Sequence, residues 1–184
     1  MPANRNVTSI ETYSGQYVDL LTPDPATIRL EDIAVGLANT ARFAGATTKF
    51  YSVAEHAVRV SEVVATPWAL HHDSHEYVLG DITAPLKAVL RDETEYDVLG
   101  ELAFHLDWAI REALGIRAAT RAELDAIKQA DDDVMYREAA ALKWSHGVGD
   151  HWNNDTAAVP FTPLGWLPDE AAARFLARHA ELTS

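Results

Sequence analysis

The period of the apolar positions changes along the chain. Over roughly the first 25 residues, Tyr13, Gly15, Tyr17 and the Pro23-Asp24-Pro25 turn sit in a short apolar/polar alternation, which predicts one or two short strands. Ile33, Leu37 and Ala41 then fall at helical spacing, predicting a helix that ends near Arg42-Phe43 and Gly45. Ser52-Val53-Ala54-Glu55 has the spacing of a capping box, so a helix should start at Ser52. On it His56 shares a face with Val53, Val60 and Val63 and points inward. Thr66-Pro67 and Gly80 bracket a further helix over 67–79, with His71-His72-Asp73-Ser74-His75-Glu76 in its interior. A loop over 80–85 follows and carries Asp81, with Lys87 just beyond it.

A long helix is expected from about Asp92 to Leu114, with Leu99, Leu102, Ala103, Leu106 and Ile110 inward and Gly115 as its stop. Thr120-Arg121-Ala122-Glu123 is a second capping box, opening a helix with the stripe Leu124, Ile127, Val134, Met135 and Leu142, and Asp131 falls on that stripe. Residues 145–168 are rich in Gly, Asn, Asp and Pro and read as a long loop carrying Trp152 and Trp166, and 169–182 as a closing helix. The pattern predicts an all-α bundle with a short N-terminal β segment, built as one domain over residues 1–184.

Composition narrows the chemistry. Cysteine is absent, so any metal must be held by nitrogen and oxygen. A formal charge of -13 argues against a surface that tracks long DNA or RNA, since such binding neutralises many phosphates with Lys and Arg. A single nucleotide stays compatible, because a bound cation and a few basic groups set the local field. No stretch approaches the roughly 18 apolar residues that cross a bilayer, and MPANRNVTSIETYSG lacks the apolar core of a signal peptide. A cytoplasmic protein without a membrane partner is expected.

A carboxylate on an apolar stripe is costly unless it is paired or holds a cation, and Asp131 is such a carboxylate. Its neighbours Asp132 and Asp133 fall about 100 and 200 degrees further round the helix, on the polar side. Any one inward histidine is usually a satisfied core residue, and His105, His146, His151 and His179 read as structural or surface groups. His56, His72, Asp73 and Asp131 together, from three predicted helices, supply two imidazoles and two carboxylates. That set suits Mn²⁺, Co²⁺, Fe²⁺, Ni²⁺ or Zn²⁺ with positions open for water and substrate. Glu76, one turn from His72, can orient water or move its proton, and Arg42 and Lys87 can meet phosphate.

These words resemble the H…HD…D signature of the HD-domain phosphohydrolases. Ser-Val-Ala-Glu-His56 is similar to the segment carrying the first ligand, and Lys128-Gln-Ala-Asp131 to that carrying the last. His72-Asp73-Ser-His-Glu76, Gly80-Asp81 and Pro85-Leu-Lys87 resemble the central motif of the small bacterial 5′-deoxynucleotidases and their phage relatives. The likeness covers roughly residues 30–142, with the motifs in order and at compatible spacing. It implies an HD-domain helical bundle with metal ligands His56, His72, Asp73 and Asp131. It also implies catalytic roles for Glu76 and Asp81, and nucleotide contacts from Arg42, Phe43 and Lys87.

The implied cofactor is a divalent transition metal (Co, Mn, Zn, Fe or Ni), with Mg accompanying the substrate phosphates. The implied activity is hydrolysis of a deoxynucleoside monophosphate. The alternatives are a dATP-type triphosphohydrolase releasing triphosphate and a non-catalytic nucleotide-sensing module. Phe43 stands where the bacterial deoxynucleotidases have Trp, and no Gly-Tyr-Pro word follows the HD segment, which disfavours the cyclic-dinucleotide branch. The resemblance further implies a homo-oligomer, dimer or larger, for which Trp144, Trp152 and Trp166 are candidate anchors, site covers or core caps.

Overall fold

The N-terminal alternation forms a hairpin in the computed structural model, which describes residues 7–143 and 162–184. Trp144, His146, His151 and Trp152 lie outside the described residues. Strand β1 (Ser9–Glu11) pairs antiparallel with β2 (Tyr17–Asp19), Ile10 opposite Val18. Between them Gly15 takes φ 80, a conformation that glycine adopts without a Cβ clash. The hairpin is tied down by Asp32, a buried carboxylate that accepts from Thr12 Oγ1 at 2.7 Å, Ser14 N at 2.7 Å and Ser14 Oγ at 2.8 Å.

The rest is mostly helical. Asp32 belongs to α1 (Leu30–Asn39), whose Ile33, Ala34, Leu37 and Ala38 are buried. The helix ends at Asn39, short of the expected Arg42-Phe43, because residues 42–45 turn tightly, with Phe43 and Ala44 at φ 56 and 52. Helix α2 (Val53–Val63) begins as expected, with Ser52 Oγ accepting from Glu55 N at 3.1 Å. The capping box is only half made. The Glu55 side chain is buried and instead accepts from the Leu164 and Trp166 amides at 2.7 and 2.8 Å. Val53, Ala54, Ala57 and Val58 join one apolar cluster with Ile33, Leu37, Leu70, Ile110 and Phe175. Val60 joins a second with Ala69, Ile127, Ala130 and Val134, while Val63 is exposed. Buried on nearly every side, its polar Glu55, His56 and Ser61 included, α2 packs against α1 and against the helices Pro67–His71, Arg121–Leu142 and Pro168–Thr183.

The single helix expected over 67–79 is two pieces, α3 (Pro67–His71) and α4 (Glu76–Leu79). Between them Ser74 N, Glu76 N and Tyr77 N bond to the carbonyls of His71, Asp73 and Ser74, three residues back. Such tightened turns eclipse positions i and i+3, which brings Asp73 and Glu76 to one side. The buried Ser74 hydroxyl, 2.8 Å from His71 Nδ1, stabilises the break. The expected helix from Asp92 to Leu114 is also two. Helix α5 (Ala84–Thr94) ends at Glu95 in the left-handed region, and α6 (Val98–Leu114) starts afresh with Asp97 accepting from Gly100 N at 2.9 Å.

Helix α7 (Arg121–Leu142) has the complete capping box of Thr120 and Glu123. Helix α8 (Pro168–Thr183) closes against α1, α2 and α3. Trp166, a candidate anchor, site cover or core cap, is buried in the first apolar cluster, its ring centroid 4.6 and 4.5 Å from the guanidinium groups of Arg59 and Arg174. Among the described residues no helix is long and apolar enough to cross a membrane.

Candidate metal centre

Three elements converge on one point. His56 comes from α2, His72 and Asp73 from the break between α3 and α4, and Asp131 from α7, each offering a ligand atom within 4.8 Å of the others. His56 Nε2 lies 3.1 Å from Asp131 Oδ1 and 3.8 Å from Asp73 Oδ2, and His72 Nε2 lies 3.2 Å from Asp73 Oδ2. These residues could hold a metal ion.

The hydrogen bonds behind the ligands favour that use. His72 Nδ1 donates to the Ala69 carbonyl at 2.8 Å, and His56 Nδ1 to Glu138 Oε1 at 2.8 Å. With both Nδ1 protons so committed, the two Nε2 atoms meet 3.3 Å apart, and each presents a lone pair once any proton on it is displaced. Two lone pairs at that distance repel unless a proton or a cation lies between them, so the donor set of two nitrogens and two carboxylates fits a borderline divalent cation.

The electrostatics agree. Burial works against charge on His72, but the Asp73 carboxylate outweighs it and pushes the imidazole up to about 9. Burial likewise opposes the charges on Asp73 and Asp131, yet the histidines hold both well below the usual carboxylate range. Glu138, fully buried, also accepts from Arg42 Nε at 3.0 Å, and Arg42 Nη1 approaches Asp73 Oδ2 at 3.9 Å. One guanidinium thus balances the carboxylates on both sides of His56.

Arg42, Phe43 and Asp81 line a cleft of about 570 Å³ with Thr83, Met135 and Lys143. Asp81 Oδ2 accepts from Phe43 N at 3.1 Å and so holds the left-handed turn at the cleft wall. Lys87 is not in this cleft. It lines a neighbouring pocket of about 190 Å³ with His75, Glu76, Arg91 and Asp97, its Nζ 3.8 Å from Glu76 Oε1. Burial first, then the charges of Asp73 and Asp81, push the Glu76 carboxyl up to about 9.

His71 faces away from the centre, 2.8 Å from Ser74 Oγ and 2.9 Å from His179 Nδ1, and burial pushes its imidazole down to about 3. His179, expected to be structural or superficial, is its partner. Neither Glu138 nor Lys143 falls in a motif that the sequence marks out. Glu138 alone left a trace, standing seven residues after Asp131 on the same stripe as Val134 and Leu142.

No protein-family model matches the chain. It is 37% identical over 183 residues to an uncharacterized protein of Rhodobacter capsulatus, covering 90% of this chain and 91% of the other. It is 43% identical over 182 residues to the uncharacterized protein YfdR of Escherichia coli, covering 95% of each. The chain belongs to the YfdR family. The YfdR-like chain thus shares nearly its whole length with relatives whose names state no activity.

Proposed function

We propose that this YfdR-family chain is a metal-dependent nucleotide phosphohydrolase of the HD type, releasing phosphate from a deoxynucleoside monophosphate. The observation that carries the reading is the pair of Nε2 atoms of His56 and His72, 3.3 Å apart with both Nδ1 protons engaged elsewhere, beside Asp73 and Asp131. A divalent cation held by these four residues supplies Lewis acidity toward a phosphoryl oxygen and toward water.

The chain's own groups do the rest. Arg42 and Lys143 line the cleft and offset phosphate charge, and the Phe43 ring offers an apolar wall to the sugar. Its carboxyl pushed up to about 9 in the metal-free protein, Glu76 would take the proton of the attacking water only once a bound cation has ionised it. As the new O–P bond forms, the P–O bond to the sugar breaks, and Glu76 passes the proton taken from water to the leaving oxygen. Arg42 and Lys143 are the basic groups among the described residues lining this cleft, and Arg42 already balances Glu138, which favours a monophosphate over the more highly charged triphosphate.

Metal-loaded protein should release inorganic phosphate from one or more deoxynucleoside monophosphates when products are separated by chromatography. Triphosphate released from a dNTP would move the assignment to the triphosphohydrolase. Tight nucleotide binding without turnover would make the chain a sensing module. Asp73→Ala protein that is metal-free and still fully active would end the metal mechanism.

A further inference from the structure

The donor groups around Asp73 do not stop at the first centre. Asp73, His75 and Glu76 also offer ligand atoms within 4.8 Å of one another. Asp73 Oδ2 faces the two histidines of the first centre, and a carboxylate has a second oxygen with which to bridge.

His75 and Glu76 are set up in ways a solvated pair would not be. His75 Nδ1 donates to Asp107 Oδ1 at 3.0 Å, which fixes the ring and leaves the lone pair on Nε2, just as Glu138 does for His56. Glu76 is only 4% exposed, and its Oε2 is buried with no hydrogen-bond partner among the described residues. Its Oε1 is approached by Lys87, whose side chain is 46% exposed and can withdraw into solvent. A buried carboxylate oxygen left without a donor is a site that wants a cation.

We propose that Asp73, His75 and Glu76 form a second divalent-cation position beside the first, with Asp73 bridging the two and Asp107 as the positioning residue behind His75. One imidazole and two carboxylates make this the harder of the two sites, suited to Mn²⁺ or Mg²⁺. The proposal deepens the metal-hydrolase reading and rests on it for Asp73. A second cation would keep Glu76 ionised through one oxygen while the other remains available to a water proton.

The test is a metal count that needs no turnover. The full chain, stripped by chelator and dialysed against Mn²⁺, should bind two ions, with an exchange-coupled electron paramagnetic resonance signal. His75→Asn should bind one, with the signal of an isolated ion. Asp107→Asn, which keeps an acceptor for the ring, should retain its circular dichroism and weaken only the second ion, by roughly 10- to 100-fold. One ion in the parent protein, two in His75→Asn, or an uncoupled signal at full loading would overturn the second position. One bound ion at saturation in a parent protein that still hydrolyses a nucleotide would overturn the second position and leave the phosphohydrolase reading intact. Two coupled ions with no hydrolysis of any nucleotide would sink that reading and keep the second position.

Discussion

Glu138→Gln changes one oxygen to an amide nitrogen and removes one charge from the most enclosed part of the centre. Glutamine can still accept from His56 Nδ1, so the ring keeps its orientation, but the Arg42 Nε partner at 3.0 Å becomes neutral while both groups stay buried. Removing one member of a buried ion pair costs about 3–5 kcal/mol. Arg42 keeps Asp73 at 3.9 Å, which argues for the lower end, about 3 kcal/mol. For a chain of this length that is roughly 6–12 °C in melting temperature.

Loss of the charge behind His56 also lowers metal affinity, by roughly 10- to 100-fold for a partner of a ligating histidine. Urea denaturation of the metal-free protein and calorimetric titration with Co²⁺ or Mn²⁺ read the two effects separately. The pH dependence has a definite sign. The folded Glu138 carboxyl is held below its ordinary 4.5, with the His56 and Arg42 charges overcoming burial, so its contribution is present above 4.5 and is lost as pH falls through the folded value. The parent and the variant should therefore converge in acid. A variant within about 1 kcal/mol of the parent near neutral pH, with unchanged metal affinity, would refute the assignment of Glu138.

Other perturbations test other parts of the structure. A Cβ added at Gly36 would sit 2.9 Å from both Tyr77 Cβ and the Tyr77 carbonyl oxygen, so Gly36→Ala should cost about 1–3 kcal/mol in urea denaturation despite its better helix propensity; a stabilised variant would contradict the tight α1–α4 packing. His71 is held near 3, below its ordinary 6.5, so the unfolded chain protonates first, and its contribution is complete above 6.5 and declines by up to about 1.4 kcal/mol per pH unit below it. His71→Gln should flatten that part of the stability curve between pH 7 and 5, and an unchanged slope would refute the buried neutral ring. His72, pushed up to about 9, carries a proton at neutral pH that a cation must displace. Metal affinity should rise with pH, with about one proton released per ion in calorimetry across buffers of different ionisation heat; no buffer dependence would argue against these ligands.

His56 and Asp131 were legible because a charged or titratable group on an apolar stripe is conspicuous, and His72-Asp73 because it stands between clear start and stop signals. What lies between those signals was not. A straight 67–79 helix hides the tightened turn that the Ser74 hydroxyl and His71 hold open, and with it the shared side of Asp73 and Glu76. Helix α5 was missed because its short apolar stripe, Leu86, Val89 and Leu90, is exposed and imposes no core pattern on its neighbours. Glu55 looked like a cap, but the amides at 164 and 166 compete for its carboxylate and win, a contact more than a hundred residues away that no local pattern records. Lys87, like Arg42 a candidate for meeting phosphate, lies on α5 and lines the neighbouring pocket beside Glu76, apart from the cleft that Arg42 lines.

Arg42 belongs to the cleft and to the metal centre at once, and that sharing has a thermodynamic consequence. An anion that draws the guanidinium toward the cleft leaves Glu138 and Asp73 less compensated, which raises the appetite of the centre for a cation. Linkage is reciprocal, so whatever factor phosphate adds to metal affinity, metal must add to phosphate affinity. The two ligands should load cooperatively, and Arg42→Ala should abolish the cooperativity beyond whatever it takes from either affinity alone. On the proposed function, a shortage of the metal would weaken nucleotide binding as well as turnover.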